Sequence, residues 1–297
     1  SGRGWDDWPP PASWPSMSRP ARVALAAVSL AGCAPTPDYV DHYTSTRATC
    51  GFARHRGASP TPGVDTPSYP SRACVDAVHQ DFGVDADAFV RADQLDSAYG
   101  HVEGSPQARN TRHELILMNA RALLTMDLGT LGDLRASPKL TREFLEELEA
   151  VSDATDTRDT AGLLYNFAAS VITRTIPANR QGSRASYNAD DETLRISSPV
   201  KDDTIVGTVL VHESRHRWGG HGVCPWNPEK SCDPDATGAY GFGMSAKVIV
   251  LRHTEDPDIV AELDQGIHKL TGMIASFNDD EGHRLPRFAR SGPEPAP

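Results

Sequence analysis

The sequence has no run of Lys or Arg, and this lack excludes one class of partner. The 29 basic residues stand against 40 acidic ones, for a net charge of -11. A protein that holds a nucleic acid duplex neutralises phosphates with clustered cations, so nucleic acid is not an expected partner. Long apolar runs are also missing. The one stretch apolar enough to interest a membrane, Val23 to Gly32, has 10 residues, well short of the roughly 20 that a spanning helix needs. No internal repeat is present, and no cysteine pair has the C-x-x-C spacing of a zinc knuckle. What is present, 297 residues with 38% hydrophobic and 23% charged, suits one medium domain with a sizeable core, or two small ones.

The short apolar stretch sits between address-like residues. Met17, Arg19 and Arg22 precede it, and Leu30-Ala31-Gly32-Cys33 closes it. A charged start, an apolar middle and a small-residue end read as a secretory signal. The last four residues resemble the lipobox of bacterial lipoproteins. That resemblance implies cleavage before Cys33, acylation of its thiol, and a place on the periplasmic or extracellular face of the cell envelope. Membrane contact is then through the lipid alone. On this reading Met17 is the start, residues 1–16 are an upstream extension and 17–32 the signal peptide.

Export to an oxidising compartment turns the remaining Cys50, Cys74, Cys224 and Cys232 into candidate disulfides. Four cysteines allow three pairings. Cys50 with Cys74 and Cys224 with Cys232 each close a short local loop and are the preferred pair. Residues 33–72, rich in proline, read as a tether and an irregular segment. Residues 73–281 are expected to form a single catalytic domain, and 282–297 a disordered tail.

Within that domain the apolar periodicity is mostly helical. Leu115, Met118, Ala122 and Met126 share one stripe. Leu140, Phe144, Leu148 and Val151 share another, with Ser137-Pro138 at its expected start. Leu163 to Ile172 suggest a third helix. Ala185 to Asn188 and Thr193 to Ser197 read as a hairpin around Ala189-Asp190-Asp191. Asp202-Asp203 can cap a helix running to about Trp218, where Gly219-Gly220 stop it. Two further helices fit 240–253 and 257–276, the second starting at Asp256-Pro257. The expected class is α+β, mainly helical, with a small sheet beside the helix that ends at Trp218.

That helix carries the chemistry. His212-Glu213-Ser214-Arg215-His216 is an H-E-x-x-H sequence. On a helix, residues four apart share a face, so His212 and His216 converge on one point while Glu213 stands beside them. Two imidazoles suit Zn²⁺, and the adjacent carboxylate suits a general base. Arg215 is expected to pair with a carboxylate.

These residues resemble the zincin metallopeptidases, in which an edge strand precedes the active-site helix and a third protein ligand follows it. The resemblance covers roughly residues 185–253. It implies zinc, a peptide or protein substrate, and hydrolysis by metal-activated water, with Glu213 as the base. The third ligand departs from the family patterns. The metzincin continuation would place a histidine at Gly222, and His221 lies one residue early. The aspzincin pattern places an Asp close before Tyr-Gly, and here Asp233 and Asp235 precede Tyr240-Gly241 at longer range. His221 is the first choice, because Gly219, Gly220 and Gly222 let the chain turn back. Asp233 is the second, next to the expected Cys224–Cys232 bridge. Tyr240 is placed to donate a hydrogen bond to an oxyanion. The alternative function is an envelope lipoprotein that uses its metal for structure and acts as a binding or scaffold protein without turnover.

Overall fold

The computed structural model describes residues 38–50, 71–89, 91, 112–126, 128–136, 140–177, 185–196, 203–254 and 256–277. The signal and lipobox ending at Cys33, and the tail expected over 282–297, lie outside these residues. Among the described residues no helix is long and apolar enough to cross a membrane.

Most helices begin where a short polar side chain can satisfy the first free N–H groups. Asp41 accepts from Thr44 N at the start of α1 (His42–Cys50), and Ser71 accepts from Cys74 N at the start of α2 (Arg72–Asp81). After α3 (Arg112–Thr125) and the short α4 (Leu131–Arg135) come two helices with clear caps. Thr141 caps α5 (Arg142–Thr155) through Phe144 N, and Asp159 caps α6 (Thr160–Val171) through the amides of Ala161 and Gly162. The start expected at Ser137-Pro138 therefore moves to Thr141, whose hydroxyl reaches the N3 amide. Residues 137–139 lie outside the described set.

Three short strands follow: β1 (Arg174–Pro177), β2 (Ala185–Asn188) and β3 (Thr193–Ile196). They form a sheet in the order β1-β3-β2, with β3 parallel to β1 and antiparallel to β2. The β2–β3 hairpin is where the sequence puts it; β1 was not expected. Next is α7 (Asp203–Arg215), which packs against α3 and also meets β2. It was expected to run to Trp218. Instead the α-helix stops at Arg215 and tightens into a 3₁₀ turn, His216–Trp218, before Gly219 at φ 152° redirects the chain.

No strand is expected in the segment after this turn. It contains a small hairpin, β4 (Gly222–Cys224) and β5 (Asn227–Cys232). Then come α8 (Ala239–His253) and α9 (Pro257–Thr271), the latter capped by Asp256 with Pro257 in its first turn. The described part is α+β and mainly helical, as expected.

Both expected disulfides form, Cys50–Cys74 and Cys224–Cys232. The first corrects the reading of residues 33–72 as wholly irregular, because α1 lies within it, bonded to α2. Tyr43 on α1 is buried against Tyr165, and its amide donates to Asn166 Oδ1 at 2.9 Å. Tertiary contact and a crosslink hold a helix that has little apolar periodicity of its own.

The core centres on α6, nearly all of whose side chains are buried. Phe144 from α5, Phe167 from α6 and Phe242 from α8 are fully buried and mutually packed, with ring centroids 4.1–6.2 Å apart. Trp218, at the end of the 3₁₀ turn, stacks on Phe167 at 5.9 Å. Each large aromatic removed from water contributes about 1.5–3 kcal/mol. This cluster therefore fixes the end of α7 and the start of α8, the two places from which the candidate site is built.

Candidate metal centre

His212 stands on the last turn of α7, and His216 opens the 3₁₀ turn that follows. The helix carries them on neighbouring turns, with ring centroids 5.2 Å apart. Gly219 and Gly220 then let the chain reverse, and His221 returns beside them. Its ring lies 4.5 Å from that of His216 and 5.4 Å from that of His212. All three are partly buried, and one ligand atom from each lies within 4.8 Å of the others. Among the described residues no other group of histidine, cysteine and carboxylate side chains meets that condition.

The second nitrogen of each ring is engaged by the protein. His216 Nδ1 lies 3.1 Å from the Gly219 carbonyl oxygen, and His221 Nδ1 lies 2.7 Å from Asp233 Oδ1. Both oxygens accept, so each Nδ1 carries the proton and each Nε2 keeps its lone pair. His212 is hydrogen-bonded to the backbone of Ala239. This is how ligating histidines are oriented: the far nitrogen is tied to a carbonyl or carboxylate so that the near one faces the metal. Three nitrogens on one tetrahedral zinc stand about 3.4 Å apart, from Zn–N bonds of about 2.0–2.1 Å. The donors lie within 4.8 Å of one another, wider than that spacing, and the donor set, three neutral imidazoles, is of the kind zinc takes.

Asp233 was the second choice for the third ligand, and the structure gives it another place. It is not a member of the three-histidine group. One carboxylate oxygen meets His221, and the other accepts from the Tyr240 amide at 2.6 Å. With 2% of its side chain exposed, Asp233 orients His221 and caps the first turn of α8 at once. Asp235 is turned to its own loop, accepting from the amide and hydroxyl of Thr237.

Electrostatics keep the rings ready to bind. Burial lowers His212 well below the ordinary histidine value, helped by the neighbouring His216 and His221. Burial also lowers His216, against the opposing hydrogen bond to Gly219. Neutral imidazole is the ligating form. Glu213 is 6% exposed, and burial pushes its carboxyl up to about 8, while the Tyr187 backbone amide on β2 opposes the rise. Its Oε2 is buried without a hydrogen-bond partner. An unsatisfied buried carboxylate oxygen is costly to the fold, and it sits on the residue between the two histidine turns.

Tyr240 lies flat on His221, with centroids 3.7 Å apart and planes 10° apart. Its phenol is half-buried and raised above its ordinary value by burial, then by the charges of Asp233 and Glu213. Arg215 pairs with a carboxylate, as expected. Its guanidinium meets Glu143 at 2.9 Å and the Thr237 carbonyl at 2.7 Å, and lies over the Phe242 ring. It thereby ties the end of α7 to the loop that carries Asp233 into α8.

Two site features were not read from the sequence. One is the Tyr187 amide on Glu213: the zincin resemblance implies an edge strand at residues 193–197, but β3 is the central strand and β2, which carries Tyr187, lies at the edge. The other is Gly243, where a Cβ would lie 3.0 Å from His212 Nδ1 and crowd its ring. Comparison of the chain with protein-family models, with curated proteins and with solved structures finds no match.

Proposed function

We propose that this chain is a zinc-dependent peptidase of the zincin type, with His212, His216 and His221 as metal ligands. The observation that carries the reading is the convergence of these three imidazoles, each held through its other nitrogen or ring edge by the protein. A structural zinc site fills four positions with protein donors, whereas a catalytic one uses three. The three-residue set therefore supports turnover over the scaffold alternative.

His212, His216 and His221 would hold the ion, and zinc bound there would supply Lewis acidity toward a peptide carbonyl and a water. The chain's own groups handle the protons. Glu213, which the positive charge of an ion held by the three histidines would favour as the carboxylate, takes a proton from the attacking water at its unpartnered Oε2 and delivers it to the leaving amine nitrogen. The Tyr240 phenol donates a hydrogen bond to the oxyanion that develops on the scissile carbonyl. Asp233 holds the His221 tautomer throughout. A lipid anchor at Cys33, on the outer side of a bacterial membrane, is part of the same proposal and rests on Leu30-Ala31-Gly32-Cys33.

The test is hydrolysis of a peptide library by the zinc-loaded chain and by Glu213→Gln. The proposal expects cleavage by the wild type, a loss of about a thousandfold or more in the variant, and equal zinc content. Zinc binding with undiminished cleavage by Glu213→Gln contradicts the assigned mechanism.

A further inference from the structure

Glu213 is aimed by a group outside its own helix. Its carboxylate accepts from the backbone amide of Tyr187, while Oε2 stays buried without a partner. Tyr187 lies on β2, an edge strand of the sheet, and an edge strand offers amides that no neighbouring strand takes. The direction in which Oε2 points therefore depends on where β2 stands relative to α7. The sheet's own hydrogen bonds do not fix that position, because they join β2 to β3 along its opposite edge.

Arg217 is the group that reaches across. It is the middle residue of the 3₁₀ turn His216–Trp218, which meets β2. Its side chain is 14% exposed and touches the β2–β3 hairpin in two places. Nη1 pairs with the Glu192 carboxylate in the turn of the hairpin, and the guanidinium also donates to the Tyr187 hydroxyl. That hydroxyl donates in turn to the Val171 carbonyl at the end of α6, at 3.0 Å, so Tyr187 is held at its ring as well as at its amide. Glu192 has φ 51°, a left-handed conformation that residues with a side chain seldom adopt. Arg217 Nε is buried with no hydrogen-bond partner. A buried ion pair with an orphan donor adds little to stability. What two directed bonds from one planar fork do supply is a fixed geometry.

We infer that Arg217 is a positioning residue for the general base. Through Tyr187 and Glu192 it holds β2 against the end of α7, which keeps the Tyr187 amide on Glu213 and leaves Oε2 turned toward the attacking water. The inference rests on the peptidase reading and adds a residue to its machinery. Arg217 acts through Tyr187, and not on the substrate or the metal.

The test has one readout that needs neither metal nor turnover. In the full chain carrying isotope-labelled tyrosine, the Tyr187 amide signal is identified by its loss in Tyr187→Phe. Its hydrogen exchange is then followed in the wild type, Arg217→Lys and Glu192→Gln. Lysine keeps the charge but lacks the fork that serves both oxygens. The expected result is exchange of that amide about tenfold faster in Arg217→Lys, with the other tyrosine amides as in the wild type. Glu192→Gln, which removes one charge from a turn, is expected to move the same amide less and carries the test where Arg217→Lys does not fold. On the zinc-loaded chain, kcat for peptide hydrolysis is expected to fall about ten- to a hundredfold in Arg217→Lys, with KM and zinc affinity unchanged. Adding Tyr187→Phe to that variant costs nothing more. A Tyr187 amide that exchanges as slowly in the variants as in the wild type overturns the inference alone. So does a kcat that falls only in step with zinc content, which places the effect on His216. No cleavage by the wild type, or cleavage undiminished by Glu213→Gln, overturns the peptidase reading, and the inference falls with it.

Discussion

Gly238 passes so close to Asp233 that a Cβ on residue 238 would lie 2.3 Å from the carboxylate carbon. The contact packs the loop before α8 against the group that orients His221 and caps Tyr240. Gly238 has φ -79°, so any residue could adopt its backbone conformation. Only the lack of a side chain is required. Gly238→Ala is therefore expected to displace Asp233 and to lower zinc affinity without removing any polar group. Competition with a chromophoric chelator measures this, and wild-type affinity in Gly238→Ala would mean that Asp233 has room to move without consequence.

Asp233→Asn tests the same contact chemically. An amide can no longer accept charge-assisted bonds from both His221 and the Tyr240 amide. Loss of such an orienting carboxylate typically lowers metal affinity by about 10–100-fold. The expected variant binds zinc more weakly by that factor and melts lower, since the α8 cap is weakened too. Equal affinity with a lower melting point would leave Asp233 as a cap alone.

The two disulfides should separate cleanly by readout. Cys224–Cys232 closes a loop of sequence separation 8 whose ends lead directly to His221 and Asp233, and Cys50–Cys74 one of separation 24 between α1 and α2. Loop-closure entropy puts their contributions at about 2.5 and about 3.5 kcal/mol, in that order. The Cys224→Ser, Cys232→Ser double variant is expected to lose both stability and zinc affinity. The Cys50→Ser, Cys74→Ser variant is expected to lose stability with affinity unchanged. Paired thermal melts and zinc titrations distinguish them.

What was legible in the sequence was what is local. His212, Glu213 and His216 are one helical turn of chain, and the cap at Asp256 acts within three residues. Disulfide partners followed from short spacing. The role of Asp233 was not legible, because it depends on pairing between β4 and β5. The β5 sequence, Asn-Pro-Glu-Lys-Ser-Cys, has no apolar alternation and holds a proline, so nothing in it signals a strand. β1 and α1 were missed for a related reason. Each is short, and each is stabilised by distant partners: β3 in one case, Tyr165, Asn166 and Cys74 in the other.

Glu147 gives a pH signature of its own. Burial pushes its carboxyl up to about 7; Arg215 opposes the rise, and Glu143 adds to it. Tyr39, whose phenol is itself raised by burial and by Glu147, faces it. Its Oε2 has no hydrogen-bond partner. A carboxyl whose folded pKa exceeds its unfolded value of 4.5 costs nothing while both states are protonated. The cost grows as pH rises from about 4.5 and is complete above about 7. Glu147→Gln should therefore melt near the wild type at pH 4 and above it at pH 8. An equal difference at both pH values would show that the carboxyl ionises freely in the folded chain.

The proposed zinc site joins three imidazoles, from α7, its terminal turn and the residue before β4. The most direct measurement is an equilibrium zinc titration of the full chain beside His212→Ala, His216→Ala and His221→Ala. The account predicts one zinc per wild-type chain and a loss of roughly a hundredfold or more in each variant. Wild-type affinity in His221→Ala, or no stoichiometric zinc at neutral pH, would contradict it.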